Sequence, residues 1–249
     1  MQTSAQRPKP HPEWLQKLVR LKGDLLHLVY PESCLSCNCE LTSGTQHLCH
    51  LCEMDLRYTY FENFTEPTPL DKLFWGRVSL ASTCALLNFE QDSGTQKILH
   101  AIKYKGKKEL AEEMGERFGR KLLTNPAKYD SIDALIPIPL HPKKRFIRGY
   151  NQSELIADGL SKSMKIPAIT DFLTKGTHTK SQTTKNRFMR WDNVSDVFHI
   201  SPEKYTHLKH IALVDDVVTT GSTLEACIKI IAEALPELKI SVLSLAVTK

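Results

Sequence analysis

The sequence has no apolar run near the roughly 18 residues that a membrane-spanning helix needs, and its first ten residues, MQTSAQRPKP, lack the apolar centre of a secretory signal. These absences argue against membrane insertion and lead us to expect a cytoplasmic protein. Apolar residues are also scarce between Glu32 and Met54, too few to build a core there. That segment instead carries five of the seven cysteines, and in a reducing compartment such clustering favours metal over disulfides.

The cysteines form two CxxC knuckles, Cys34-Leu35-Ser36-Cys37 and Cys49-His50-Leu51-Cys52, separated by eleven residues. Each offers two thiolates on a tight turn. Together Cys34, Cys37, Cys49 and Cys52 can close a tetrahedral four-cysteine zinc site, a small zinc-ribbon-like module whose metal supplies the folding energy that a core cannot. Cys39, His47 and His50 remain as spare ligands. Four thiolates leave no position for water, so the expected zinc is structural. A redox CxxC is disfavoured because no thioredoxin-type strand precedes the knuckles.

What is there beyond the cysteines is ordinary for a globular protein: 249 residues, 41% hydrophobic and 24% charged. That length holds one sizeable α/β domain plus a smaller module. The expected division is a tail and amphipathic helix over 1–30, the zinc module and a connector over 31–75, and the α/β domain over 76–249. The helix rests on Pro12 as a starter and on Trp14, Leu18, Leu21, Leu25 and Leu28 along one face. The net charge of +5 is uneven, because residues 141–190 carry eleven Lys or Arg against three acids. Such a stretch is either a solvated face or a polyanion site.

Along the α/β part, Val78 to Phe89 should contain a strand, and Ser93 to Gln96 has capping-box spacing before a helix through Ile98, Leu99 and Ile102. Gly106 breaks that helix, and Leu110, Met114, Phe118 and Leu122 define the next. The Lys103-Tyr104-x-Gly106 segment between them also fits an ordinary helix C-terminus. Asp133 to Leu140 reads as a buried strand stopped by prolines. The loop HPKKRFIRGYNQ follows, and a capping box from Asn151 to Glu154 opens another helix. That repeats a strand, charged loop, helix order and predicts an anion subsite. Ile169 to Leu173 is a weak strand candidate. Residues 174–193 are polar and basic, and we expect a lid bearing Lys180, Lys185, Arg187 and Arg190. Ile240 to Val247 reads as the last strand.

The stretch that organises the chain is IALVDDVVTTGSTL, residues 211–224. Its apolar start lacks alternation, as in a parallel strand covered on both faces. Leu224, Cys227, Ile228, Ile231 and Leu235 then recur at helical spacing. The intervening turn therefore sits at the carboxyl end of a strand and at a helix N-terminus, where amides and hydroxyls suit a phosphate. A hydroxyl-rich turn can merely cap a helix, but Asp215 and Asp216 exceed what capping needs. Paired carboxylates suit the vicinal hydroxyls of a ribose, or a magnesium ion bound with it.

VDDVVTTGST resembles the 5-phosphoribosyl-1-pyrophosphate (PRPP) motif of type I phosphoribosyltransferases, which implies an α/β fold with a mostly parallel sheet flanked by helices. Taken with the double CxxC start, AIKYKG and PIPLHPKKRFIRGYNQSE, the chain is similar over most of residues 34–247 to the ComF family of competence-associated, phosphoribosyltransferase-like proteins. By that resemblance Asp215 and Asp216 form the catalytic, ribose-holding pair, and Thr219, Thr220, Gly221, Ser222 and Thr223 take the 5-phosphate. Lys143, Lys144, Arg145, Arg148 and Gly149 take the pyrophosphate, and Lys103 belongs to the family's Lys-Tyr-x-Gly element. Lys180 and Arg187 are further candidates on the lid. The implied ligands are PRPP with Mg2+ and an unspecified acceptor, besides structural Zn2+. Single-stranded DNA or competence proteins are the implied partners. Family members are often named amidophosphoribosyltransferases, yet here Gln2 rather than Cys follows Met1 and no glutaminase-like region is visible. The alternative expectation is a non-catalytic PRPP-sensing or DNA-binding module that keeps the fold.

Overall fold

The computed structural model describes residues 32–42, 45–176, 198–200 and 202–248. The expected N-terminal helix and the lid with Lys180, Lys185, Arg187 and Arg190 lie outside the described residues. The chain divides into two compact units, Met1–Met54 and Asp55–Lys249.

In the first unit a hairpin closes around the first knuckle: Ser33 bridges Glu40, the Cys34 amide donates to the Cys39 carbonyl at 2.8 Å, and the Asn38 amide to the Cys34 carbonyl at 2.9 Å. Asn38 takes a left-handed backbone with φ 60°, a conformation that Asn tolerates better than most residues and that turns the chain back on itself. A short helix α1 (His50–Met54) carries the end of the second knuckle. Among the described residues of this unit only Cys34, Leu41 and Leu48 are buried apolar side chains.

The second unit is built on a four-stranded parallel sheet in the order β1-β6-β5-β2, with β1 at Ser82–Phe89, β2 at Ala134–Pro137, β5 at His210–Val218 and β6 at Lys239–Thr248. The paired residues run Ala134↔Ile211 to Pro137↔Val214 and His210↔Lys239 to Val218↔Val247. Residues 211–214 are fully buried, as expected of a central strand covered on both faces. A separate antiparallel pair joins β3 (Leu173–Lys175) to β4 (Phe198–Ile200). The strand expected at 169–173 thus lies later, while Ala168 forms one parallel bridge to Leu135.

The described part of this unit also has seven α-helices, α2 (Pro69–Phe74), α3 (Gly94–Tyr104), α4 (Lys108–Leu122), α5 (Pro126–Tyr129), α6 (Pro142–Arg148), α7 (Gln152–Met164) and α8 (Ser222–Ala234), and two short 3-10 helices, Phe61–Asn63 and Pro202–Tyr205. The Ser93 hydroxyl caps α3 by accepting from the Gln96 amide at 3.3 Å. The closest helix pair is α4 against α7, where glycines let backbones meet. A Cβ on Gly159 would stand 2.0 Å from the Glu112 carbonyl oxygen, and one on Gly115 2.3 Å from that of Ile156.

Residues 57–75, expected to be an irregular connector, are ordered against the sheet. The Thr59 amide donates to the Leu86 carbonyl at 3.0 Å. Thr68 and Asp71 form a reciprocal capping box at the start of α2, and the second Asp71 oxygen accepts from Thr83 Oγ1 on β1 at 2.7 Å. Leu70 and Phe74 are thereby buried.

Candidate functional site

The site forms where β5 hands over to α8. Strand β5 runs four residues beyond Val214, so both acids lie within it. Successive strand side chains leave on opposite faces, and the two carboxylates accordingly find different partners. Asp215 is half-buried, and its Oδ1 accepts from the Asp216 amide at 2.8 Å and from Ser153 Oγ at 3.3 Å. Burial, and then the charge of Asp216, push its carboxyl up to about 7. Asp216 is only 4% exposed, and its Oδ2 sits 3.0 Å from the Lys103 ammonium.

That contact gives the Lys-Tyr-x-Gly segment a partner. Lys103 lies in the last turn of α3, Gly106 follows with φ +67°, and the lysine reaches β5 to neutralise a buried carboxylate. Its head group is therefore committed to Asp216.

Beyond β5 the turn opens outward. Thr219, Thr220, Ser222 and Thr223 are exposed, and the Thr220 and Ser222 hydroxyls share a hydrogen bond of 2.9 Å. Gly221 caps α8 with φ +73° and offers no side-chain acceptor, and of the first-turn amides that of Ser222 makes a long 3.5 Å bond to Thr220 Oγ1. A hollow of about 50 Å³ lies here, walled by Asp215, Val218 and the turn. Asp216 is not on its wall. Gly221 has a second reason to be glycine, because a Cβ there would meet the Phe74 ring at 2.9 Å.

The turn is fastened from outside by Arg77, a residue that no motif in the sequence singles out. Its guanidinium donates to the Thr220 carbonyl at 2.9 Å, to the Leu73 carbonyl at 3.1 Å and to Glu225 in the first turn of α8 at 2.9 Å. The Thr68-Pro69-Leu70-Asp71 cap signature could have revealed α2 and hence the packing that presents Arg77.

The neighbouring corner corrects the loop expected at HPKKRFIRGYNQ. Pro142 occupies the first turn of a helix, His141 caps it by accepting from the Lys143 amide at 3.2 Å, and Gly149 ends it with φ 77°. Lys143 and Lys144 are exposed on this helix. Arg145 grips both oxygens of Glu154 at 2.9 and 3.2 Å, so Glu154 does not close the expected capping box. Arg148 donates to Gln152 at 2.9 Å and lies 5.1 Å over the Tyr104 ring. Beside it a cavity of about 390 Å³ is lined by Pro137, Leu140, Phe146, Leu173 and Lys175, among others. Burial lowers the Lys175 ammonium, Lys144 adds to this, and Asp215 opposes it. Lys175 belongs to the basic stretch 141–190, but no motif there distinguishes it from its neighbours.

In the first unit the thiols of Cys34, Cys37, Cys39 and Cys49 lie within 4.8 Å of one another. Cys39, expected to be spare, is inside the quartet, and Cys52, expected to be a ligand, is outside it. The Ser36 and Cys49 amides both donate to Cys34 Sγ at 3.4 Å, as donors do around a metal-bound thiolate. Tetrahedral zinc with Zn–S bonds of about 2.3 Å separates its sulfurs by about 3.8 Å, and Cys37 Sγ lies 3.7 Å from Cys49 Sγ. The cluster fits a structural zinc ion. No other metal-ligating group of three or more occurs among the described residues.

Known proteins resemble the chain in part. Competence protein F of Haemophilus influenzae is 35% identical over 100 residues, 40% of this chain and 44% of that protein. The DNA utilization protein YhgH of Escherichia coli (strain K12) is 26% identical over 129 residues, 51% and 56% of the two chains. Competence protein ComFC of Bacillus subtilis is 23% identical over 214 residues, 84% and 82% of the two. The match therefore spans about half the length of the first two relatives. No family model matches the chain.

Proposed function

We propose, from the premise that this chain belongs to the ComF family, that its α/β unit binds PRPP at the β5–α8 corner and transfers the phosphoribosyl group to an acceptor in the context of DNA uptake. The observation that carries this reading is the open hydroxyl turn at the start of a thirteen-residue helix, with a half-buried carboxylate at its base.

The 5-phosphate would take the amides and hydroxyls of Thr219 to Thr223, where the helix dipole favours an anion. Asp215, on the wall of the hollow, would accept the ribose hydroxyls. Asp216 acts from behind as the counter-ion of Lys103. Pyrophosphate would meet Lys143, Lys144 and Arg148 near Gly149, with Arg145 joining only if it leaves Glu154. A magnesium ion bound with PRPP would supply positive charge at the pyrophosphate. Because Asp215 and Asp216 have separate partners, the ion would be carried mainly by the phosphates and water, as is usual for magnesium.

Isothermal calorimetry with PRPP tests the reading. Parent protein should bind, and Asp215→Asn should bind at least tenfold more weakly. Equal affinity of the two, or no binding by the parent, would sink the assignment. Pyrophosphate release in the presence of candidate acceptors then separates an enzyme from a PRPP sensor.

A second reading has its own observation. Phe146 and Ile147 are 91% and 81% exposed on a helix that also presents Lys143 and Lys144. Exposed aromatics among cations suit single-stranded DNA, and the relatives' names point to DNA. Binding that fades steeply with salt, and that Phe146→Ala weakens, is expected. No retention on oligonucleotide at low salt would remove this reading.

A further inference from the structure

Five thiols stand where one zinc ion takes four. The hairpin that turns at Asn38 folds Cys39 back over the first knuckle, so that its sulfur lies 3.2 Å from Cys37 Sγ. This follows from backbone bonds, because the Cys34 amide to Cys39 carbonyl contact and the Ser33–Glu40 bridge fix residue 39 beside residue 34. Cys52 rides on α1, the helix that follows Cys49 directly. Its thiol interacts with those of Cys37, Cys49 and Cys34. Cys37 and Cys49 are also the thiols that Cys39 meets. Two sulfurs on separate pieces of backbone thus approach the same neighbours, and a tetrahedral ion held by Cys34, Cys37 and Cys49 has one position left for them.

Resting on the reading of this unit as a zinc centre, we propose that Cys34, Cys37 and Cys49 are fixed ligands and that Cys39 and Cys52 are interchangeable fourth ligands. The unbound thiol waits beside the metal and refills the position when its counterpart leaves. Zinc is thereby retained through transient loss of one bond, and a single reactive sulfur is always displayed.

Zinc content, cobalt(II) spectra and alkylation test this on the full chain. Cys39→Ser and Cys52→Ser should each keep one metal per chain with the tetrathiolate cobalt spectrum, whereas the double variant should lose that spectrum. Each single variant should surrender zinc to a chelator roughly tenfold faster than the parent, a loss comparable to removing a ligand's supporting partner. Alkylation of the zinc-loaded parent, mapped by peptide mass, should label Cys39 and Cys52 as alternatives, one per molecule. Label on only one of them, or loss of the tetrathiolate spectrum in either single variant, would overturn the interchange while leaving the zinc centre intact. A parent without zinc, behaving like Cys34→Ser, would instead overturn the centre itself. The alkylation arm needs no variant, so a misfolded substitution does not rescue the idea.

Discussion

The two units solve the same problem with opposite means. Residues 55–249 bury a continuous apolar sheet, with Ala212, Leu213, Val242 and Leu243 inaccessible to water. The described part of the first unit buries Cys34, Leu41 and Leu48 and little else of apolar character, and its clustered thiols fit a metal ion that would do there what a core does elsewhere. The difference teaches where each can tolerate strain. A unit with a large core can hold an uncomfortable carboxylate pair in its central strand; the first unit buries only one of its four clustered thiols, Cys34, and has no comparable core around them.

The largest expected effect breaks this comparison at its weaker side. Structural zinc is worth about 10 to 16 kcal/mol to small metal-folded modules. Stripping it should abolish the ordered state of residues 32–54 while leaving the α/β unit folded. Hydrogen exchange should show protection lost in the first unit alone. If both units lose protection together, or neither does, the contrast is wrong. At the other side, Gly159→Ala should cost about 3 kcal/mol, because its Cβ would meet the Glu112 carbonyl at 2.0 Å and the neighbour is backbone. Denaturant melts would show this loss with zinc content unchanged.

Much of this contrast is legible in the sequence, and what is not has a physical cause. The two CxxC knuckles and the VDDVVTTGST strand-turn-helix are local patterns, so periodicity and spacing reveal them. Prolines mislead around residue 142: after Pro137 and Pro139 stop the strand, Pro142 reads as more of the same loop, although in a first helical turn Pro starts a helix. Lys103 cannot be assigned from sequence, because its partner Asp216 comes from a distant strand and no local pattern encodes the pairing. Cys39 is underrated for a similar reason: a left-handed Asn38 brings it to the cluster, and spacing alone favours the second cysteine of each CxxC. Arg77 escapes because the connector that leads into it reads as irregular.

Two substitutions sharpen the claim that the core supports a strained site. Lys103→Met leaves the nearly buried Asp216 without its cation and should cost about 2 to 3 kcal/mol, since breaking a buried pair strands the remaining charge. Asp215→Asn should act in the other direction. A carboxyl raised to about 7, against about 3.9 unfolded, makes the folded protein bind more protons than the unfolded chain across that window. Stability is then full below about pH 4 and falls as pH rises to about 7. With the group half-buried, we expect the parent to lose about 1 to 2 kcal/mol over that range and Asp215→Asn to lose less. PRPP affinity should move oppositely, rising with pH as the carboxylate forms. A stability profile identical in parent and variant would contradict the raised carboxyl.

The smallest effect on stability is expected at Arg77, and it is the most telling for the site. The guanidinium spans α2, the Thr220 carbonyl and Glu225, yet it is partly exposed, with 30% of its side chain accessible. Exposed ion pairs contribute about 1 kcal/mol or less, so Arg77→Met should barely shift the melting point. What it removes is the anchor that keeps the hydroxyl turn in its open shape, with Phe74 still seated against Gly221. If that turn receives a phosphate, a loosened cradle must be ordered on binding, and PRPP affinity should fall about tenfold, or roughly 1.4 kcal/mol. Arg77→Lys, which keeps the charge but not the fork, should recover only part of it. A fall in affinity that merely tracks lost stability would make Arg77 a structural staple, whereas affinity lost at constant stability marks it as the residue that positions the turn.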